Sequence, residues 1–344
     1  MNAKGKLALA AAGAAAVGMS PAPSQAQDAP AIEMRVGIID IQANELTFGD
    51  RNTWIDYREF NEEGKFPANW MTESGYDHGQ MMASAFVRQA RIMDEKAPIR
   101  IFAANVFQEN SNPTGSALYS RNSHAGSKRT LSVNWEGAKK ALSWFKENNV
   151  TVVLTAFNGQ DSVAMRSFIQ ETEKLGMTVF ASAGNKVGAA AFPAQYPQAI
   201  SVAADNKDLA FRNDPSMSTW VNFTMEGDVP LRKEGGAVDA GSSYASAKAA
   251  AFGAYYVAHN RYADRDQIRG ALQRVAMLVE YEGKGEKISG LRIDEREAGR
   301  EMARVARYDF EQANVRTADA AETKSPNARD VAMYQSAISV GMAF

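Results

Sequence analysis

The chain has 344 residues, 45% of them hydrophobic and 23% charged, with a formal net charge of −2 and no cysteine. That length and mix suit one large α/β domain with appendages, or two smaller domains. The near-balanced charge gives no support for nucleic-acid binding, which shows as a basic excess, and the lack of cysteine excludes disulfides, thiolate nucleophiles and cysteine-ligated metals.

The first residues read as an export signal. Lys4 and Lys6 precede a short apolar run, and the small residues Ser24 and Ala26 follow at cleavage spacing. Residues 1–26 are therefore expected to be a signal peptide, and the mature chain periplasmic or secreted. The apolar run is shorter than the ~20 residues a membrane span needs, and no later segment predicts a transmembrane helix. Residues 27–34 form a short polar linker. RVGIID, from Arg35, is an apolar, β-branched run ending in an acid, as a central parallel strand does. HGQMMASAFVRQARIM, from His78, carries Met82, Phe86, Val87 and Ala90 at helical spacing. IRIFAANVF predicts a strand, SVNWEGAKKALSWFKENN a helix and VTVVLTAF a strand. DSVAMRSFIQETEKLG predicts a helix with Asp161 as its cap and Gly176 as its stop. MTVFASAGN and AISVAA continue the strands. GSSYASAKAAAFGAYYVA, from Gly241, is an alanine-rich buried helix, and GLRIDEREAGREMARVAR supplies one more strand and helix.

Alternation of near-continuous apolar strands with helices predicts a doubly wound, mostly parallel α/β sheet with helices on both faces, over residues 35–305. Residues 306–344 read as a tail, flexible from Tyr308 to Arg329. Its last residues alternate Ile338, Val340, Met342 and Phe344. Such a terminal strand resembles the closing strand of outer-membrane β-barrels, which would associate the chain with that membrane or make it an autotransporter passenger. A barrel needs at least about eight strands, so packing on the domain is the simpler expectation.

In doubly wound sheets functional groups gather beyond the C-terminal strand ends, which singles out Asp40, Asn185 and the turn at Gly241. If Ser243 is a nucleophile, it needs a base, usually a histidine oriented by a carboxylate. Of three histidines, His259 lies near the far end of the serine's own helix, roughly 24 Å away at ~1.5 Å per residue. His124 falls in a polar loop. His78 opens a helix and is the candidate base by elimination. Asp40, at a rigid strand end, is the candidate orienting acid, and the Asn185 side chain with the Ser243 amide would hold an oxyanion. Each residue also has an ordinary reading: serine as helix cap, aspartate and asparagine as turn residues, histidine as exposed surface.

The order Asp, His, Asn, Ser with these flanks resembles the subtilisin-like serine proteases, or subtilases. VGIID resembles the strand leading to their catalytic aspartate, HGQMMA their histidine motif HGTxVA, and GSSYASA their serine motif GTSxAxP. FASAGN followed by FPAQYPQAISVAA resembles their oxyanion block. The similarity runs from about Arg35 to Val305, through DQIRGALQRVAM and GLRIDEREA. It implies a secreted serine endopeptidase acting on protein or peptide substrates, with Asp40, His78 and Ser243 as the triad and Asn185 in the oxyanion hole. It requires no cofactor; calcium accompanies many subtilases, but no ligand pattern is legible here.

The departures bear on activity. Ile41 and Gln42 replace the small pair that follows the family aspartate, Ala247 replaces a proline, and Ser242 replaces a threonine. VVLTAFNG corresponds to the substrate-pairing strand, so that Ala156, Phe157 and Asn158 border the pocket for the residue before the scissile bond. Asn158 stands at a glycine position and predicts a preference for small side chains there. The short stretch between Ala26 and Arg35 leaves no room for the folded pro-region that subtilases often carry. A subtilase fold that binds peptides or a partner without turnover is the alternative.

Overall fold

The computed structural model describes residues 32–41, 52–61, 78–109, 119–122, 128–206, 210–229, 239–282 and 286–324. The expected signal peptide, His124 and the terminal alternating strand lie outside them.

Apolar β-branched runs become the centre of one nine-stranded sheet. Its strands are β1 (Met34–Ile39), β2 (Thr53–Glu59), β3 (Ile99–Asn105), and, after the small antiparallel sheet of β4 (Phe107–Glu109), β5 (Tyr119–Asn122) and β6 (Lys128–Val133), β7 (Val152–Thr155), β8 (Thr178–Ser182), β9 (Ala199–Ala204) and β10 (Phe223–Met225). A two-stranded pair, β11 (Asp228–Val229) and β12 (Asp239–Ala240), precedes the last members, β13 (Met277–Glu282) and β14 (Lys287–Arg292). The spatial order is β13-β14-β10-β9-β8-β7-β1-β3-β2. Every pairing in it is parallel except β13 with β14. The doubly wound α/β sheet expected from the sequence is present. Chain order reverses between β1 and β7, the switch point where such sheets open a crevice.

Strand alternation divides the core into two layers. Ile38, Leu154, Phe180 and Val202 point into one, and Ile39, Val153, Val179 and Ala181 into the other. On the first face lie α1 (His78–Met93), α5 (Ser242–His259), α6 (Arg265–Val275) and α7 (Glu297–Lys324); on the second lie α2 (Trp135–Glu147) and α3 (Val163–Lys174), while α4 (Ala210–Asn213) is a single turn. Helix α5 is alanine-rich and, apart from Ser246 and Lys248, apolar because it is enclosed: Tyr244 through Tyr256 are buried, against β1, β7, β8 and β9 on one side and α1 on the other.

Two local expectations are corrected. Ser162, not Asp161, caps α3, its hydroxyl accepting from Met165 N at 3.1 Å; Asp161 instead pairs with Arg166 and Tyr196. Gly176 does end that helix, at φ 70°. The chain from Tyr308 to Lys324, expected as flexible tail, continues α7. Asp309 ties that extension back to the domain, accepting from Tyr256 Oη at 2.6 Å and Arg274 Nη1 at 2.9 Å.

Candidate active site

Three neighbouring strand ends and two helix starts converge. Asp40 follows β1, Ala156 follows β7 and Asn185 follows β8 by three residues, in strands whose register matches Ile39 with Thr155 and Thr155 with Ala181. His78 is the first residue of α1 and Ser243 the second of α5. Tyr244 Oη donates to Met81 Sδ at 3.1 Å, fastening the opening turns of those two helices side by side.

The Asp40 carboxylate is buried, and His78 Nδ1 lies 2.8 Å from its Oδ2. A carboxylate only accepts, so Nδ1 carries the hydrogen and a neutral ring presents Nε2 as an acceptor. Asp40 Oδ1 accepts from the Ile41 amide at 2.7 Å, and Gly79 N donates to Ile41 O at 3.0 Å. The bulky Ile41 therefore does not loosen the aspartate. Its own backbone clamps the carboxylate on one side and the start of α1 on the other, with its side chain buried in the second core layer.

Neither serine caps α5. Gly241 occupies that place without a side-chain bond. A Cβ there would sit 3.0 Å from Asn185 Nδ2, so glycine lets the chain approach the asparagine closely. Ser242 N and Ser242 Oγ both bond to Asn185 Oδ1, at 2.7 and 2.9 Å. A backbone amide can only donate, which assigns the oxygen of Asn185 to that side and turns its NH2 the other way. Asn185 follows Gly184, whose φ of 87° makes the sharp turn off β8. The Ser243 amide belongs to the first helical turn, where backbone donors have no intrahelical acceptor.

Ser243 is partly exposed, and its Oγ donates to Ala156 O at 3.0 Å rather than to His78. A turn about one staggered torsion redirects that hydrogen, at the cost of one hydrogen bond, about 1 kcal/mol. Phe157 is buried against Phe107, with ring centroids 5.5 Å apart. The Asn158 amide donates to Ser182 O across the ends of β7 and β8, and a Cβ on Gly184 would lie 3.5 Å from its Oδ1. His259 is remote from this cluster, at the end of α5, its Nδ1 2.9 Å from Tyr255 O.

Two buried polar side chains escaped the sequence. Ser182, fully buried on β8, bonds Oγ to Ser242 Oγ at 2.6 Å. Lys248, on the nominally apolar α5, is buried and donates to Glu226 O at 2.9 Å, to Asp228 O at 2.8 Å and to Glu295. Their polar type inside apolar runs was the available signal. Among the described residues no three carboxylate or histidine side chains gather as a metal site, and no helix is long and apolar enough to cross a membrane.

The Subtilase family model matches residues 36–299. No curated protein matches closely enough to count as a relative. Among solved structures, the A subunit of the AB5 toxin from E. coli is similar at a TM-score of 0.52 and 16% identity, over 80% of this chain and 93% of that one. A cold adapted subtilisin-like serine proteinase follows at 0.48 and 18%, over 76% and 88%. The prenylagaramide maturation protease scores 0.48 and 14%, over 78% and 93%. With a family match spanning well over half of its length, the chain belongs to the subtilase family of serine proteases.

Proposed function

We propose that the chain is an exported serine endopeptidase that hydrolyses peptide bonds through an acyl-enzyme on Ser243. The observation that carries this reading is the 2.8 Å pairing of buried Asp40 with His78 Nδ1, which puts the ring's hydrogen on Nδ1 and makes Nε2 the acceptor nitrogen. Ser243 Oγ attacks the scissile carbonyl as its proton passes to His78 Nε2. The oxyanion is held by the Ser243 amide and Asn185 Nδ2. His78 returns the proton to the leaving amine; a water, deprotonated by the same ring, then attacks the acyl carbon, and the Oγ–acyl bond breaks as the ring gives that proton to Oγ. Each oxyanion donor supplies about 3–4 kcal/mol of barrier lowering. Asp40 stabilises the imidazolium formed in each step. The bridge from Asn158 to Ser182 O supports a subsite restricted to small side chains before the scissile bond. The Lys4–Ala26 pattern supports export.

The direct test is peptide hydrolysis by the purified mature chain and by Ser243→Ala. Turnover by the first and none by the second is expected; equal turnover would remove Ser243 from the chemistry. One observation favours a second reading, a subtilase fold that binds peptides without cleaving them: Ser243 Oγ gives its hydrogen to Ala156 O. That reading predicts saturable peptide binding with no product from either protein.

A further inference from the structure

Behind the proposed oxyanion donor runs a chain of hydroxyls whose hydrogens can point only one way. The Ser242 amide fixes Asn185 Oδ1 as the acceptor at 2.7 Å. Ser242 Oγ, 2.9 Å from the same oxygen, must therefore spend its single hydrogen there. Ser182 Oγ, 2.6 Å from Ser242 Oγ, must then be the donor between the two hydroxyls. The Gly184 amide closes the line, donating to Ser182 Oγ at 3.4 Å. The order is Gly184 N–H, Ser182 O–H, Ser242 O–H, Asn185 C=O, with both hydroxyl-bearing residues at most 1% exposed. The Ser182 backbone is held as well, its carbonyl accepting from Asn158 Nδ2.

We propose that Ser182 is a positioning residue for Asn185: its hydroxyl, acting through Ser242, both orients the Asn185 amide and polarises it toward the substrate. Hydrogen bonds aligned head to tail in a water-free site strengthen one another. Each donation into the Asn185 oxygen draws electron density from its nitrogen and makes the outward N–H a better donor to a developing oxyanion. A serine serving only to fill the core would satisfy itself on a neighbouring carbonyl, as Ser246 Oγ does on Ser243 O at 2.8 Å. Ser182 reaches across to another element at the point where charge would develop.

This rests on the hydrolytic reading above, and the test separates the two. The full mature chain and its Ser182→Ala, Ser242→Ala and doubly substituted forms are compared for kcat and KM on a peptide amide, normalised to fluorophosphonate-titrated sites. Asn185 side-chain NH2 resonances are followed alongside, identified by their loss in Asn185→Leu. Ser182→Ala is expected to lower kcat about three- to tenfold with KM little changed, well short of the ~100- to 1,000-fold lost when an oxyanion donor is removed outright. In the Ser242→Ala background the same change should cost nothing further, and the Asn185 NH2 signals should shift in Ser182→Ala. Ser182→Cys, a weaker donor of similar volume, should fall between serine and alanine and stands in if the alanine form does not fold. Unchanged kcat per titrated site with only a lower melting temperature would overturn the relay, as would independent effects of the two serines. If the wild-type chain neither cleaves nor labels, the hydrolytic reading fails; unmoved Asn185 signals in Ser182→Ala would then still overturn the relay, and shifted ones support it.

Discussion

Replacing Asp40 by asparagine exchanges one oxygen of a buried side chain for an NH2 and should remove nearly all turnover. Among the described contacts, one fixed donor and one tautomer-dependent nitrogen face that side chain: the Ile41 amide at 2.7 Å from Oδ1 and His78 Nδ1 at 2.8 Å from Oδ2. In the asparagine form the Ile41 N–H still needs an acceptor, so the side-chain oxygen stays on that side and the NH2 turns to His78. The opposite orientation would press two donors together in a buried place, a penalty of about 1–3 kcal/mol. Facing an NH2, His78 Nδ1 must accept, and the ring's hydrogen moves to Nε2, the nitrogen that should take the serine proton. Holding the imidazole in that tautomer is worth about 10,000-fold in kcat, or about 5.4 kcal/mol of barrier at 1.36 kcal/mol per decade. The assay is kcat on a peptide amide at neutral pH, with thermal denaturation to establish that the fold persists. A loss under about tenfold in a folded variant would refute the tautomer argument and the role given to Asp40.

Other expectations follow from the same contacts. Asn158→Gly removes the bridge to Ser182 O and should extend cleavage to peptides with large residues before the scissile bond; an unaltered peptide-library profile would show that Asn158 does not bound the subsite. Gly253→Ala places a Cβ 2.6 Å from the ring of fully buried Phe180. Overpacking costs about 1–3 kcal/mol against a helix-propensity gain of about 1, so the melting temperature should fall, and a rise would show that the ring yields freely. Asp309 is held below the ordinary carboxylate range, first by its hydrogen bonds from Arg274 and then by that from Tyr256, against the opposing effect of burial. A depressed folded pKa contributes stability that is present above the unfolded value, about 3.9, and is lost as pH falls through the folded one. Arg274→Ala should therefore lower the urea midpoint at pH 7 and matter much less near pH 2; an equal loss at both would assign its effect to packing.

The legible parts of this protein are those whose cause is local. β1, β3, β7, β8 and β9 announce themselves as apolar runs because both faces of a parallel sheet are covered. β2 does not. It is an edge strand, with Trp54 and Asp56 exposed beside half-buried neighbours, so no continuous apolar run marks it. The end of α7 was hidden for a related reason, since Asp309 docks on Arg274 and Tyr256 from 35 and 53 residues away. At the site, Asp40, His78, Asn185 and Ser243 sit in short motifs at element ends, where a single sequence carries the signal. Ile41 clamping the carboxylate through its backbone, Ser182 backing Ser242, and Lys248 answering two carbonyls and Glu295 are pairings of distant segments or of main-chain atoms. No spacing encodes them.

The central claim is that Ser243 is activated as a nucleophile. Reaction of the purified mature chain with a fluorophosphonate, followed by mass mapping of the modified peptide, tests it most directly. The account predicts one adduct, on Ser243, forming in the wild-type chain and lost in His78→Ala. An unmodified Ser243, or a label that forms equally well without His78, would contradict it.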